Sequence, residues 1–411
     1  MNRKLFVIVG ALLLVIIASV SGWFILGRKQ PKNSQNTSVT STTTSTKNAK
    51  SKIDTKQPST QQTEKVRLIA VGDMLPHDAI NLRAKTANGY DYLQFFSPEV
   101  QGFFKKADVH FCNDEVPIAG DVFAISGYPV FNAPTKFAND IHTLGCDVIN
   151  TANNHAFDKG QAGITQTRKV WDQLGVKAVA GANSSQAQQD TIAYFTQNSI
   201  KFAFLAYAEY SNIKTNSGYA VNLYSADMAR KQVSEARKNA DVVLVSMHWG
   251  TEDVQAENDF QKNAAQVLAN SGADVVIGTG PHVLQPVTEL AKQGGGKTLV
   301  WYSIGNFLNA QLDIHGLIGG LATMDFVKDS SGVTMVSKGF LPTYMHYEWT
   351  PDQKAVQDLL ARRNFMLYPL DKAATPLSKS QNNTTVDAQL SNAKAVLNRY
   401  ISVPFYDSNS F

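Results

Sequence analysis

Asn153, Asn154 and His155 stand together in the stretch TANNHAFDKG, residues 151–160. An Asn amide oxygen is a neutral, hard ligand for a divalent cation, and an adjacent imidazole can hand a proton to a leaving group. The triplet follows Val148 and Ile149, an apolar β-branched run that reads as a buried strand, so it emerges where that strand ends. The same design recurs along the chain. Gly72-Asp73 follows the run 66–71, and Asn113-Asp114-Glu115 follows 109–112. His248, with Trp249, Gly250 and Glu252, follows 242–247, and Pro281-His282 follows 275–278. Singly, each has an ordinary explanation. Gly-Asp and Asn-Asn are turn formers, Glu115 could be a solvated loop acid, and His248 or His282 a packed or loop histidine. Jointly they put carboxylate, imidazole and amide groups at the carboxyl ends of separate strands, where open α/β sheets gather their ligands. Such a mixed set suits Mn, Fe or Zn better than Ca, which prefers oxygen alone. Of the other histidines, His110, His142, His315 and His346 read as structural or surface groups. His77, just past Asp73, stands near enough to contribute.

The elements that must position these groups follow from the hydrophobic pattern. Strands are expected at 66–71, 109–112, 148–150, 176–180, 202–207, 242–247, 275–278 and 299–303, with helices at 165–174, 226–239 and 258–271 among them. That alternation predicts an α/β layered fold. Residues 321–327 and 333–340 flank Asp329-Ser330-Ser331-Gly332, a hairpin signature that adds antiparallel pairing. A last helix is expected over 386–400, followed by a loose end. The 43% apolar content of the 411 residues supplies a sizeable core. The net charge of +4 is inflated by basic residues near the N-terminus, and no arginine-rich patch is interleaved with aromatics, so nucleic acid is not an expected partner. The two cysteines, Cys112 and Cys146, are too few for a disulfide scaffold. They could pair if close in space, but the expectation is two unpaired buried thiols.

Ahead of the globular part, residues 5–27 are uncharged and mostly apolar. An apolar run of about 22 residues is long enough to span a bilayer as a helix. It exceeds the apolar core of a secretory signal and lacks a small-residue cleavage site. An uncleaved transmembrane anchor is therefore expected, after a short cytoplasmic end at 1–4. Residues 28–63, rich in Ser, Thr, Gln, Asn and Lys, read as a disordered stalk. This order predicts a single-pass protein of the cell membrane whose globular domain, 64–350, lies outside the cell, with a C-terminal extension at 351–411 that carries the last helix.

The stretches AVGDMLPHD, ADVHFCNDEVPI, GYPVFNAP, INTANNHAFDKG, SMHWGTE, IGTGPHVLQP and YSIGNF lie in this order between residues 67 and 307. In them the chain resembles the CapA family of bacterial capsule (poly-γ-glutamate) synthesis proteins, which are related to calcineurin-like metallophosphoesterases. The resemblance implies a four-layer α/β/β/α sandwich with metal held at the strand ends. Asp73, Glu115, Asn154, His248 and His282 match metal-ligand places, His155 matches the general acid, and Asp158 would orient it. The implied reaction is phosphoester hydrolysis, with a divalent transition metal (Mn, Fe or Zn) neutralising the charge that grows at phosphorus. Phosphoesterases of this fold commonly begin with Asp-x-His and end with Gly-His-x-His. Here Leu75 and Gly280 stand where two of those histidines would be. The implied centre is therefore a single ion or a reduced site, with His77 or Glu252 as possible substitutes. The implied partners are the membrane, an anionic surface polymer and capsule synthase subunits. The implied role is in capsule biosynthesis or export, as a metal-dependent hydrolase or as a non-catalytic scaffold or polymer-binding subunit.

Overall fold

Two mixed sheets carry residues 64–411, the part of the chain that the computed structural model describes; the expected anchor at 5–27 and stalk at 28–63 lie outside the described residues. In the first sheet Glu64–Met74 runs parallel to Val109–Asp114, which continues in parallel to Val148–Asn150 and Ala178–Ala180. On its other side Glu64–Met74 pairs antiparallel with Ile318–Asp329, and this strand leads through Gly332–Glu348 to Arg363–Pro369. In the second sheet Ile200–Ala208, Val242–His248, Val275–Thr279 and Lys297–Ile304 are parallel neighbours. Antiparallel Ala193–Gln197 and Leu284–Ala291 close its two edges. Among the described residues no helix is long and apolar enough to cross a membrane.

Burial explains why these strands were legible. VHFCND at Val109–Asp114 and VVLVSMH at Val242–His248 are buried at every position, and parallel strands covered on both faces read as continuous apolar runs. Alternate residues of the second sheet serve different cores. Phe202, Phe204, Leu244 and Ile277 join the core shared with the first sheet, whereas Leu205, Val243, Val245 and Val276 face the helices Ala226–Asn239 and Asp259–Ser271. The helices Thr135–Leu144 and Gly160–Leu174 pack into the shared core through Phe137, Ile141, Ile164 and Trp171. The helix expected from 258 begins one residue later because Asn258 is its cap. Asn258 and Gln261 satisfy each other's backbone N–H groups, and Gly272 (φ 109°) ends the helix in the left-handed region.

Two expectations are corrected. Cys112 and Cys146 are not free thiols but form a disulfide, with Cα atoms 5.8 Å apart. Cys112 lies opposite Ile149 across a parallel strand pair, and Cys146 enters that neighbouring strand just before it starts. Strand pairing therefore closes a gap of 34 residues that spacing alone did not reveal. The C-terminal end is not loose. After the helix Val386–Leu397, Phe340 donates its N–H to the Pro404 carbonyl at 2.9 Å and accepts from Tyr406 at 2.8 Å. Phe405, Tyr406 and Phe411 pack against the core, an apolar contribution masked in sequence by the polar residues around them.

One ion pair ties the start of the domain to the hairpin. Arg67 donates from Nε and Nη2 to the two carboxylate oxygens of Asp325 at 2.8 and 3.0 Å. Burial acts to raise the Asp325 carboxyl, but the Arg67 and Lys65 hydrogen bonds and charges outweigh it and hold the group below the ordinary carboxylate range. A depressed carboxyl stabilises the fold at neutral pH and loses that contribution as pH falls through the folded-state value. Acid denaturation of the wild-type full-length protein should therefore lose a step that Asp325→Asn lacks, checked by unfolding midpoints at pH 7 and pH 3. Replacing both cysteines by Ala should lower the unfolding free energy by about 4 kcal/mol, the loop-closure value for a cross-link of this span. Equilibrium denaturation gives the number, and an unchanged midpoint would refute the cross-link.

Candidate functional site

At the carboxyl end of Glu64–Met74, Gly72 permits a close backbone approach. A Cβ there would stand 1.8 Å from the Gly305 carbonyl oxygen. Because none is present, Asp73 donates its N–H to that oxygen at 3.2 Å and lies in register with Asn306. Asp73 is fully buried, and so are Asn113 at the end of the next strand and Glu115 just beyond it. The Asn113 amide nitrogen donates to Asp73 Oδ1 at 2.6 Å and reaches Glu115 Oε2 at 3.5 Å. Asn150, at the end of the third parallel strand, donates to the Asn113 amide oxygen at 2.6 Å and so fixes which way that amide points.

The second sheet brings the imidazoles. His248 ends Val242–His248; its Nδ1 lies 3.0 Å from the Thr279 hydroxyl, and its Nε2 lies 3.0 Å from Asn154 Oδ1 and 3.5 Å from Glu115 Oε1. His282 adopts a left-handed backbone (φ 59°) that turns its ring back toward the first sheet. Its Nδ1 is 3.0 Å from both Asp73 Oδ2 and Asn306 Oδ1, and its Nε2 is 3.7 Å from Glu115 Oε1. The tightest group is Asp73, Glu115 and His248, each offering a ligand atom within 4.8 Å of the others. Asn154 and His282 adjoin it.

Charge in this dry place is unevenly distributed. Burial acts to raise Asp73, but the hydrogen bond and charge of His282, with the Gly280 N–H, overcome it, so its carboxyl sits below the ordinary range. Glu115 has no such help. Burial, reinforced by the neighbouring Asp73 charge, pushes its carboxyl well above the ordinary range. Burial lowers His248 to about 3 and so keeps it neutral. Burial also opposes charge on His282, but its Asp73 hydrogen bond and charge prevail and raise it. Glu115 Oε1 is buried without a hydrogen-bond partner, and an orphaned carboxylate oxygen facing two imidazoles is a strong demand for a cation. Two carboxylates, a neutral imidazole and an amide oxygen fit a divalent transition ion. The group could hold one, and Glu115 is the residue that gains most.

Beside this group stands a histidine–aspartate pair. His155 Nδ1 lies 2.8 Å from Asp158 Oδ2, which also accepts the Phe131 N–H at 2.7 Å. The Phe131 ring meets the His155 ring edge-on at 4.7 Å. His155 Nε2 is left with only a 3.5 Å contact to the Asn212 amide. Asn153 accepts the His155 N–H at 3.1 Å and donates to the Asp114 carbonyl at 2.9 Å, so it shapes the turn.

All the residues singled out as ligands in the sequence thus lie in one cluster, with His155 and Asp158 adjoining it through Asn154. The two proposed substitutes do not join the tight group. Glu252 is exposed and meets Tyr210 at 3.4 Å, and His77 Nδ1 lies against the Leu75 carbonyl at 2.9 Å. Leu75 itself is a core residue. Gly280 has φ 106°, and a Cβ there would stand 2.9 Å from the Trp249 carbonyl and 3.2 Å from the His248 ring. An imidazole is thus excluded at 280, and the Gly280 N–H donates to Asp73 at 3.1 Å in its stead. Asn113, Thr279 and Asn306 went unassigned in sequence because an Asn or Thr at a strand end reads as a turn residue. Asn212 carried no signal at all.

Residues 67–311 match the family described as Bacterial capsule synthesis protein PGA_cap. Among relatives, the PGA biosynthesis protein CapA of Bacillus subtilis (strain 168) is 32% identical over 168 residues, which are 39% of this chain and 42% of that protein. The capsule biosynthesis protein CapA of Bacillus anthracis is 32% identical over 184 residues, 43% of each chain. The matched region thus spans less than half the length of either relative. Among solved structures, the calcineurin-like phosphoesterase YfkN from Bacillus subtilis is similar with a TM-score of 0.41 and 15% identity, over 68% of this chain and 91% of that one.

A raised carboxyl in the folded state costs stability as pH climbs above the ordinary carboxylate range. Metal-free full-length protein should therefore melt at a lower temperature at pH 8 than at pH 5.5, and Glu115→Gln should flatten that slope. The same substitution should abolish the rise in melting temperature that added Mn or Zn gives the wild type. A variant that still responds fully to metal would remove Glu115 from the centre.

Proposed function

Because the chain belongs to the bacterial capsule synthesis family, we propose that it takes part in making or exporting an anionic surface polymer of the poly-γ-glutamate type, and that its centre is a metal-dependent hydrolase of the phosphoesterase kind. The observation that carries the hydrolytic reading is the buried Asp73–Glu115–His248 group, with the His155–Asp158 pair beside it. Asp73, Glu115, Asn154, His248 and His282 would hold the ion. When bound, it supplies positive charge that polarises the scissile group and offsets the charge growing there.

The chain's own residues do the rest. Asp158 holds His155 by Nδ1 and leaves Nε2 to deliver a proton to the leaving oxygen as its bond breaks. The shared contact of Asp158 with the Phe131 N–H fixes the carboxylate, so the imidazole is positioned before substrate arrives. Thr279 does the same for His248, and Asn306 for His282. Phe131 keeps bulk water from the edge of His155.

The place of action in this proposal is the outer face of the cell membrane, with residues 5–27 as anchor and 28–63 as stalk. The Cys112–Cys146 disulfide supports it, since such bonds persist in oxidising compartments. The names of the two Bacillus relatives support the polymer, and synthase subunits are the expected partners. A second reading is a non-catalytic, polymer-binding subunit. What favours it is that the places of two phosphoesterase histidines are taken by a core leucine, Leu75, and by Gly280, whose surroundings admit no side chain.

The test uses full-length protein loaded with Mn or Zn. His155→Ala should lower turnover of a phosphodiester substrate about 100-fold or more, and Asp158→Asn about 10- to 100-fold, with metal content unchanged in both. Turnover that is absent in the wild type, or indifferent to His155, would remove the hydrolase reading. If the His155→Ala protein restores polymer to a capsule-deficient strain, the second reading holds.

A further inference from the structure

A cavity of about 480 Å³ lies between the helix Asp78–Ala84 and the turn Leu359–Ala361. His77 lines it. The Phe131 ring stands edge-on to His77 at 5.4 Å and to His155 at 4.7 Å, so one ring links a residue of the cavity lining to the His155–Asp158 pair. Arg83 braces the opposite wall, donating from Nε to the Arg362 carbonyl and from Nη2 to the Leu360 carbonyl, each at 3.0 Å. Tyr128, Leu359 and Leu360 also line the cavity and are well exposed, Tyr128 at 73%.

Arg362, also in the lining, is only 4% exposed. Its Nε donates to the Leu359 carbonyl at 2.8 Å and its Nη1 to the Ala310 carbonyl. The guanidinium stands 5.2 Å from the Tyr347 ring and 5.8 Å from the Trp349 ring. Among the described residues no carboxylate pairs with it; its side-chain polar neighbour is Tyr347. Carbonyl dipoles and ring faces ease the burial of this cation without neutralising it. Lys85 adds a second permanent positive charge to the lining. The one acid there, Asp78, already accepts the Gly127 N–H at 2.7 Å through Oδ1. A planar guanidinium that no carboxylate neutralises is suited to one.

We propose that this cavity is a carboxylate subsite for the anionic polymer: Arg362 receives a side-chain carboxylate of a chain segment adjoining the one at the metal centre, and the aliphatic part of that segment lies along Leu359, Leu360 and Tyr128. The subsite rests on the reading of an anionic polymer as ligand, but not on hydrolysis. Its arginine comes from beyond the family match at 67–311, so the C-terminal residues extend the recognition surface past the shared centre.

The experiment is calorimetric titration of the full-length protein with a synthetic γ-linked glutamate tetramer, and separately with inorganic phosphate. Arg362→Gln should weaken tetramer binding about tenfold or more, and Arg362→Lys should recover part of the loss. Leu360→Glu, a change at a half-exposed position, should weaken it comparably by placing a negative charge in the lining, which keeps the test valid if Arg362→Gln fails to fold. Glu115→Gln should leave a tetramer response that still depends on Arg362. Tetramer binding that ignores both Arg362 and Leu360 but fails in Glu115→Gln would leave the polymer reading standing and overturn the subsite. Binding of phosphate alone at Arg362, or of neither anion, would also overturn it.

Discussion

Asp73 and Glu115 are two carboxylates without access to water, linked by a single amide, that of Asn113. Two negative charges so placed in a low-dielectric interior repel each other and lack hydration, so both cannot stay ionised without compensation. The protein compensates one of them. His282 and the Gly280 N–H serve Asp73, whereas Glu115 keeps a buried oxygen without a partner. That asymmetry is the physical reason to expect a cation here, and it orders the rest of the site. His248 is kept neutral and faces Glu115, as a ligand imidazole must be.

Holding two repelling groups in register requires a rigid frame, and the frame is the junction of the two sheets. Asp73, Asn113 and Asn150 end consecutive parallel strands of the first sheet, and His248 and Thr279 end neighbouring strands of the second. Gly72 allows backbone to lie against backbone where the sheets meet, and Gly280 allows it between neighbouring strand ends of the second sheet. A side chain at either position would push Asp73 or His248 out of place. The glycine at 280 is therefore part of the packing of this site.

Much of this was legible in the sequence because buried parallel strands read as continuous apolar runs and each polar group follows one directly. The ends of Val148–Asn150, Val242–His248 and Val275–Thr279 fell within a residue of expectation. What could not be read depends on contacts between distant segments. The disulfide needs Cys146 beside Cys112, which only the strand pairing arranges. Asn306 meets His282 through the Gly72–Gly305 approach, and Arg362 reaches its cavity through Ala310 and Arg83. The ordered C-terminus depends on Phe405 and Tyr406 pairing with Phe340, a partner some 65 residues away that no local pattern indicates.

The most direct measurement is anomalous diffraction from crystals of the full-length protein grown with Mn or Zn, collected at the absorption edge of the metal. One peak between Asp73, Glu115 and His248, missing from crystals of Glu115→Gln, is the expected result. Absence of a peak there in the wild type, or a peak that survives unchanged in Glu115→Gln, would contradict the assignment of the buried carboxylate pair to a cation.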